Sequence, residues 1–434
     1  MAEQSTIKDR GAAPEHGLRH ILYLFILGML CAFGPMCTDI YLPALPDITR
    51  HYGADPSAVQ LSLTASFAGL ALGQIFIGPI SDAYGRKIPL LVSLLVFALT
   101  SFMCAVAPNI HLLVLWRVFQ GMAGAGGLVL SRSIACDRFR GPALTSFMSV
   151  LMTINSVAPI LGPLLGSFII TYFSWQVVFF FLCGWGVLLL ILSTGGVPES
   201  HFPKKEERHI AAAVGGMFKE LKNRTFLLYT LSLSFVSGAF FAYLSASPFV
   251  FQVIYGYTPL QFSLVFGANS VVMSVAAIIA GRLAVRAGDA WVVKLAYSVM
   301  ISATLAVLIC AFIVPAHSWW VLLCLMFFCA TMSSSQTAGF SLVMNARTGG
   351  AGAATGIFGV MSFVFGSLTS PFMGVMGENS MVPLGVCMFG CTIMAILMLW
   401  WAQRTQHAAG RGIEEISLHD EGAPQDKSVE AQER

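Results

Sequence analysis

The chain has 434 residues, of which 56% are apolar and only 10% are charged, and its formal net charge is +3. Soluble proteins need about 25% charged residues to cover a water-facing surface, so this composition excludes a soluble globular protein. A mean hydropathy of +0.77 over the whole length instead predicts many membrane spans, each about 20 apolar residues long.

Twelve apolar runs follow one another along the chain, and each is long enough to cross a bilayer. In chain order, spans 1 to 12 cover residues 21–42, 58–80, 89–107, 112–131, 143–171, 176–196, 226–253, 259–280, 295–313, 319–344, 351–376 and 382–402. Because the runs are continuous and do not alternate in polarity, they predict α-helices and not β-strands. The expected fold class is therefore an all-α integral membrane protein with twelve transmembrane helices.

The segments outside the spans divide the chain. Residues 1–20 form a tail, and residues 197–225 separate six spans from six, which predicts two six-helix bundles at 21–196 and 226–404. Apolar residues at helical spacing in the linker favour an amphipathic helix on the membrane surface, and a solvated linker is the alternative. The acidic segment 405–434 has few apolar residues, so it is predicted to be a disordered tail.

Lysine and arginine residues predict the orientation. With both termini on one side of the membrane, every Lys and Arg except Arg50 and Arg117 falls in a loop or tail on that side. Positively charged loops are retained in the cytoplasm, so both termini are expected to be cytoplasmic. The bilayer is an expected partner, and nucleic acid is not.

The residues that usually carry enzyme chemistry are poorly placed for it. The ten cysteines include no CxxC pair, and the nine histidines fall in tails, loops or span ends, so no metal site is expected. The absence of a GxxxxGK[ST] sequence argues against direct use of ATP. The sequence therefore predicts neither an enzyme nor a cofactor.

The two halves of the chain resemble each other weakly. The segment Gly78–Lys87 follows span 2 and Gly281–Gly288 follows span 8, and both contain two glycines seven residues apart. Gly162–Gly166 in span 5 likewise has a counterpart in Ser370–Gly374 in span 11. Transporters are commonly built from such repeats, with the solute site at the repeat interface near the membrane centre.

Two charged residues fall inside spans, and they are candidates for function. Asp39 is the only acidic residue clearly within a span, and Arg117 is the only basic one. A charge at mid-membrane costs about 3 kcal/mol or more, so it is functional by default. Both lie toward the outer side, which predicts that they face one another across a cavity, with Asp39 exchanging a proton and Arg117 tuning that exchange. The alternatives are a structural ion pair, or an Asp39 that caps a helix end.

These motifs carry a family resemblance. The loop Gly78–Lys87 resembles the signature loop of the major facilitator superfamily, Gly-x-x-x-Asp-x-x-Gly-Arg-Lys. Asp39–Pro46 in span 1, Arg117–Gly121 in span 4 and Gly162–Gly166 in span 5 are similar to motifs of the twelve-span drug:proton antiporters, and most of all to their bicyclomycin and chloramphenicol resistance (Bcr/CflA) branch. The resemblance covers approximately residues 20–404.

The resemblance implies the major facilitator fold, with two six-helix bundles related by pseudo-two-fold symmetry. It also implies inner-membrane, proton-coupled antiport that exports small lipophilic or amphipathic compounds, for example antibiotics of the amphenicol or bicyclomycin type. One chain would complete the pathway as a monomer, driven by the proton gradient. Export of an endogenous siderophore, sugar or amino acid on the same fold is the alternative, and a non-transporting sensor or membrane enzyme is a remote one.

The resemblance also implies a conformational latch at the cytoplasmic ends of spans 2, 3 and 4. Its expected residues are Gly78, Asp82, Gly85, Arg86, Lys87, Asp137 and Arg138. The two acids are expected to pair with the two arginines, whereas charge that only sets topology is the alternative. The chain departs from the family pattern at Ala83 and Cys136, which lie in this region.

Two further sets of residues complete the predicted site. Gly162, Pro163 and Gly166 form the antiporter motif, which allows close packing and a bend in span 5. The expected cavity residues are Tyr41, Gln120, Asn155, Tyr243, Asn269 and Gln336. For each of these, ordinary hydrogen bonding between helices is an equal alternative to substrate contact.

Overall fold

The structure, a computed structural model, describes residues 18–139, 141–202, 221–313, 317–348, 351–374 and 380–421. For some helical residues within these ranges, Asn155 among them, only the backbone is described. The described backbone is helical or irregular and contains no β-strand. The predicted all-α class is confirmed.

The first half of the described chain begins with a broken helix. Its helices are α1 Leu18–Cys31, α2 Phe33–Asp39, α3 Leu45–Tyr52, α4 Pro56–Tyr84, α5 Lys87–Ala105, α6 Ile110–Arg138, α7 Gly141–Tyr172 and α8 Gln176–Gly196, with a 3-10 turn at Leu42–Ala44. The axis bends by 47° between α1 and the helical residues that follow it. Pro35 lies in the first turn of α2 and has no N–H to donate to the carbonyl of Cys31, so the helix breaks at this point.

The second half repeats the long helices. They are α9 Arg224–Pro248, α10 Pro259–Ala287, α11 Asp289–Phe312, α12 Ser318–Asn345, α13 Ala351–Thr369 and α14 Val382–Glu421, with a π-helical turn at Phe249–Ile254 and a 3-10 turn at Ser370–Gly374. A complete capping box starts α10, in which Thr258 and Gln261 bond to each other's backbone N–H groups. This cap fixes where α10 enters the membrane region.

The described residues of each of the twelve predicted spans are mostly helical. Among the described residues, ten helices are long and apolar enough to cross a membrane, and the bent pair that begins with α1 makes eleven. The remaining prediction, 143–171, coincides with α7, whose described apolar part is Val157–Tyr172. The protein is therefore a multi-pass membrane protein.

The helices pack as two groups that meet along two seams. In the first half α4 packs on α6 and α5 on α8, and in the second half α9 packs on α14 and α11 on α12. The seams between the halves are formed by α7 with α10 and by α4 with α13. The linker residues 203–220 lie outside the described residues, so the amphipathic helix within 197–225 stays a prediction.

The last helix differs from the sequence prediction. The segment from 405 was predicted to be disordered, but α14 continues to Glu421. No proline interrupts the chain between Pro383 and Pro424, and the Ala and Glu residues that follow position 405 are strong helix formers, so helical backbone persists beyond the apolar span.

The two ends of the molecule differ in charge and in closure. We call the end that carries Arg86, Arg138, Arg282, Arg286 and Arg347 the basic end, and the opposite one the far end. Three hydrogen bonds between the halves occur among the described residues, and all lie toward the far end. They are Gln252 Nε2 to the Pro43 carbonyl (3.4 Å), Ser263 Oγ to the Pro163 carbonyl (2.7 Å) and Ser370 Oγ to the Gln60 carbonyl (3.5 Å).

Candidate functional site

A cavity of about 520 Å³ lies between the two halves. Its walls are largely aromatic, with Phe67, Phe240, Phe241, Phe266, Phe340, Phe358 and Phe363 among its lining residues. The Phe67 and Phe241 rings lie 4.3 Å apart across the seam between the halves. Ten polar side chains interrupt this apolar surface, namely Thr38, Asp39, Gln74, Arg132, Tyr243, Asn269, Ser270, Ser274, Ser333 and Thr355. A cavity of this composition suits a mostly apolar solute with a few polar groups.

Asp39 lies at the end of α2 and lines the cavity. It is 5% exposed, and the Thr38 hydroxyl donates a 2.9 Å hydrogen bond to its Oδ1. The three ion pairs found among the described residues involve other acids. Asp39 is thus a buried carboxylate at the cavity wall with no basic partner within 4.0 Å among those residues.

The predicted antiporter motif lies directly behind Asp39. A Cβ atom at Gly162 would lie 3.1 Å from the Cβ of Asp39, and one at Gly166 would lie only 2.1 Å from the carbonyl oxygen of Ile40. The two glycines therefore let α7 approach the end of α2 more closely than any residue with a side chain would allow. Pro163 adds the carbonyl that accepts from Ser263 across the seam.

Arg117 contradicts the prediction that it faces Asp39. Its guanidinium is fully buried within the first half, donates to Gln120 Oε1 (2.6 Å) and to the Cys37 carbonyl (3.2 Å), and lies 4.7 Å from the centre of the Tyr41 ring. It is not among the cavity-lining residues. Residues two positions apart on a helix point in nearly opposite directions, so Arg117 contacts the face of Cys37 and Tyr41 while Asp39 faces the cavity.

The predicted cavity residues separate into two groups. Tyr243 and Asn269 line the cavity, joined by a 2.8 Å hydrogen bond from the Asn269 amide to the Tyr243 hydroxyl. Tyr41, Gln120 and Gln336 do not line it, because they bond within their own halves to Ser62, Ser101 and Ser237 respectively. For these three, the alternative of bonding between helices is the correct one. The side chain of Asn155 lies outside the described part of the chain.

Sequence reasoning missed several polar cavity residues, and Gln74 and Arg132 have the largest side chains among them. Arg132 had been counted only as a loop charge that sets topology. A side chain on a helix tilts toward the helix N-terminus, and for Arg132 on α6 that direction is into the membrane region. Gln74 is a polar residue inside an apolar run, and this was a usable signal.

The predicted latch forms a charge cluster at the basic end. Arg86 is 8% exposed, donates from Nε to Asp137 Oδ2 (2.9 Å), and forms an ion pair with Asp82 (2.5 Å). Burial alone would lower the pKa of Arg86, but its hydrogen bonds and the charges of Asp137 and Asp82 outweigh burial, so the pKa is raised. Arg86 therefore remains charged.

Arg138 is placed differently from the prediction that the two acids pair with the two arginines. Both acids pair with Arg86, whereas Arg138 donates to the carbonyls of Pro198 and Glu199 (3.1 and 2.9 Å). Lys87 donates from Nζ to the Thr194 carbonyl (2.7 Å). Arg138 follows Asp137 directly and so lies on a different face of α6, beside the end of α8. Its side chain therefore points to the carbonyls there and not to the two acids.

Glu199 belongs to the same charge cluster, and sequence reasoning missed it. Its carboxylate accepts from the backbone N–H groups of Arg86 (2.8 Å) and Lys87 (3.0 Å), at the start of α5. An anion is favoured at a helix N-terminus because unpaired N–H groups and the positive end of the helix dipole meet there. Gly85, at φ = 91°, makes the sharp entry into α5. Asp82, Arg86, Asp137 and Glu199, all in the first half, are called the latch cluster below.

Sequence comparisons agree with the fold. The model of the Major Facilitator Superfamily matches residues 24–371. The chain is 36% identical over 384 residues to the Uncharacterized MFS-type transporter YdgK of Bacillus subtilis (strain 168), covering 88% of this chain and 95% of that one. It is 26% identical over 383 residues to the Bicyclomycin resistance protein homolog of Haemophilus influenzae, covering 88% and 96%. It is 25% identical over 378 residues to the Multidrug resistance protein MdtL of Klebsiella pneumoniae (strain 342), covering 86% and 94%.

Solved structures show the same architecture. A bacterial homologue of the human lysosomal transporter Spinster matches with a TM-score of 0.71 at 16% identity, covering 90% of this chain and 98% of that one. The xylose transporter XylE from E. coli matches with a TM-score of 0.68 at 15% identity, covering 88% and 97%. The helical packing, the central cavity and the sequence relatives together show that the chain is a transporter of the major facilitator superfamily.

Proposed function

We propose that the protein is a proton-driven exporter, which carries small amphipathic compounds out of the cell in exchange for protons. The observation that carries this proposal is Asp39, a buried carboxylate on the wall of the central cavity. Two of the relatives bear names that refer to bicyclomycin or multidrug resistance, which supports antibiotics and similar compounds as substrates.

Asp39 couples the two fluxes if proton and substrate exclude one another at its carboxylate. An ionised Asp39 accepts a strong hydrogen bond from a substrate, and protonation of Asp39 weakens that bond by removing the negative charge. Because a ligand shifts a conformational equilibrium only by its differential affinity for the two states, this competition is sufficient for antiport. The membrane potential adds about 2.3 kcal/mol per net charge per 100 mV, so no nucleotide or cofactor is required.

The sidedness of the proposal follows from charge. In this proposal the basic end lies on the cytoplasmic side of the inner membrane, because positively charged loops are retained on that side. Both termini lie on the same side. The hydrogen bonds that join the halves toward the far end then correspond to an inward-facing state. One chain contains both halves and the cavity, so a monomer is sufficient.

Arg117 and the latch cluster have supporting roles in this proposal. Arg117 holds α2 through the Cys37 carbonyl and so fixes the position of Asp39 without touching it. The latch cluster joins the ends of α4, α6 and α8 to the start of α5. It therefore keeps the first half rigid while the two halves move relative to one another.

The test uses inside-out vesicles with an acid interior, a pH-reporting dye and a panel of lipophilic drugs and metabolites. We expect at least one compound to collapse the pH gradient in vesicles with the wild-type protein. In Asp39→Asn the collapse should be lost, because the amide cannot take up and release a proton. Purified Asp39→Asn should still bind compounds that carry no positive charge.

Asp47→Asn is the matched control. Asp47 pairs with Arg50 on α3 and does not line the cavity, so this variant should collapse the gradient at the wild-type rate. Collapse at the wild-type rate in Asp39→Asn would reject Asp39 as the proton carrier. Silence of folded wild-type protein across the panel would reject proton antiport of these compounds.

A further inference from the structure

The cavity contains buried polar groups that the proposed proton exchange does not use. Arg132 and Gln74 line the cavity, and the Nε of Arg132 and the amide nitrogen of Gln74 are buried without a hydrogen-bond partner among the described residues. The amide oxygen of Asn269, which also lines it, is likewise buried and unpartnered. Buried polar groups are rarely left unpaired, because losing water without replacement costs free energy. Unpaired groups on a cavity wall therefore indicate where a ligand would bond.

Helix packing gives the order of these groups along the cavity. A Cβ atom at Gly34 would touch the side chain of Leu128, so these two positions lie at one level. Arg132 lies one turn of α6 closer to the basic end, and Asp39 lies five residues away in the opposite direction. At 1.5 Å per helical residue, Asp39 and Arg132 are separated by about 13 Å along the bundle axis.

Gln74 lies between them. A Cβ atom at the neighbouring Gly73 would meet the Met122 carbonyl and the Ala125 side chain, and one at Gly78 would meet Val129. Since α4 and α6 run in parallel, Gln74 falls between the levels of Asp39 and Arg132. The cavity thus has a hydrogen-bond acceptor, Asp39, at one end and a guanidinium donor, Arg132, at the other, with phenylalanine rings around them.

We infer that the cavity selects elongated aromatic compounds with a hydrogen-bond donor at one end and an acceptor at the other. The donor, an amine or hydroxyl, binds ionised Asp39, and the acceptor, a carboxylate or carbonyl, binds Arg132 with the help of Gln74. The inference rests on the proposed function, and it makes Arg132 a specificity-determining residue. Because the donor end requires ionised Asp39, such a substrate competes with the proton.

The test compares three probes with related bodies. They are 4-phenylbutylamine, which carries only the donor, 4-phenylbutyrate, which carries only the acceptor, and 4-(4-aminobutyl)benzoate, which carries both. Calorimetry on the purified full-length protein should show that the bifunctional probe binds about tenfold more tightly than either of the others, because each end adds a charge-assisted hydrogen bond.

Variants assign the two ends. Arg132→Gln should weaken binding of the bifunctional probe about tenfold and leave 4-phenylbutylamine within about twofold of wild type. Gln74→Leu, a second variant that removes a donor without removing a charge, should weaken the bifunctional probe severalfold. Arg282→Gln is the control, since Arg282 is exposed on α10 at the basic end and does not line this cavity.

The inference is overturned if Arg132→Gln and Gln74→Leu both bind the bifunctional probe as wild type does. It is also overturned if Arg132→Gln weakens the amine probe as much as the bifunctional one, since the effect would then be general. The vesicle assay separates this failure from failure of the proposed function. If proton movement depends on Asp39 but not on Arg132, proton antiport is supported and the role of Arg132 is rejected. If binding depends on Arg132 but no proton movement is seen, the binding site is supported and proton antiport is rejected.

Discussion

At the scale of the residue, three buried charges are stabilised in three ways. The Arg86 guanidinium contacts two carboxylates. The Arg117 guanidinium donates to carbonyl and amide oxygens and packs against aromatic rings. Among the described side chains, one hydroxyl, that of Thr38, donates a hydrogen bond to Asp39. A buried charge persists where partners replace water, so the two arginines are suited to holding structure. Asp39, with the weakest compensation, is suited to changing its charge.

Glu199 provides a residue-scale prediction. Replacing it with Gln removes the charge that faces the start of α5, so we expect the unfolding free energy to fall by about 1–2 kcal/mol. Arg86→Ala should abolish transport while leaving membrane insertion intact, and Glu199→Gln should reduce transport in the same direction. Thermal unfolding and the vesicle assay measure the two effects, with Asp47→Asn as the control. Transport and stability equal to wild type would remove Glu199 from the latch cluster.

The charged residues also show how much of the candidate site can be predicted from the sequence. Asp39 was identified because an acid inside an apolar run is costly wherever it points. Arg117 was identified for the same reason but was assigned to the wrong neighbour, because every helix is apolar on all sides and no periodicity reveals which face meets the cavity. Arg132 and Glu199 were missed because a charge near a span end looks like any other loop charge.

At the scale of the element, α2 and α7 form the support of the cavity wall. The break after α1 reorients the residues that carry Asp39, and the glycines of α7 allow the close approach behind it. The span itself was predictable from its length and apolarity, and Pro35 inside it was a usable signal for the break. The close approach of α7 behind Asp39 was not predictable. The contact therefore depends on three-dimensional packing that no local pattern contains.

Gly166→Ala tests this support. The added methyl group would lie 2.1 Å from a backbone oxygen, which cannot move without shifting α2, so we expect a loss of about 1–3 kcal/mol in stability. Reduced proton-coupled transport should accompany it, because Asp39 is displaced. Gly184→Ala on α8 is the control, since a Cβ atom there meets nothing within 4 Å. Equal unfolding temperatures for the two variants would contradict the role given to Gly166.

At the scale of the whole molecule, the hydrogen bonds between the two halves lie toward the far end among the described residues. These bonds join the halves there, while the cavity extends from Asp39 toward Arg132 and the basic end. All-α class and the number and order of spans follow from apolar length alone. Which end is closed does not, since the same sequence must form both states of a transport cycle.

Removing bonds at the far end should shift that equilibrium. Ser263→Ala with Ser370→Ala deletes two hydrogen bonds between the halves, so we expect the population open at the far end to rise about tenfold. Spin labels on cysteines introduced at the exposed far-end positions Val106 and Ile313 would report a longer distance. Ser298→Ala is the control, because Ser298 is exposed and bonds within α11. An unchanged distance distribution in the double variant would show that these bonds do not hold the far end closed.

The chemistry of that closure has a consequence for where the transporter can work. The three seam bonds pair an amide or a hydroxyl with backbone carbonyls, and none pairs a cation with an anion. Ionic screening weakens attraction between charges but hardly affects neutral hydrogen bonds. The opening equilibrium at the far end should therefore be the same in dilute and in saline surroundings. With the proposed orientation, the transporter would work equally well whatever the salt content outside the cell.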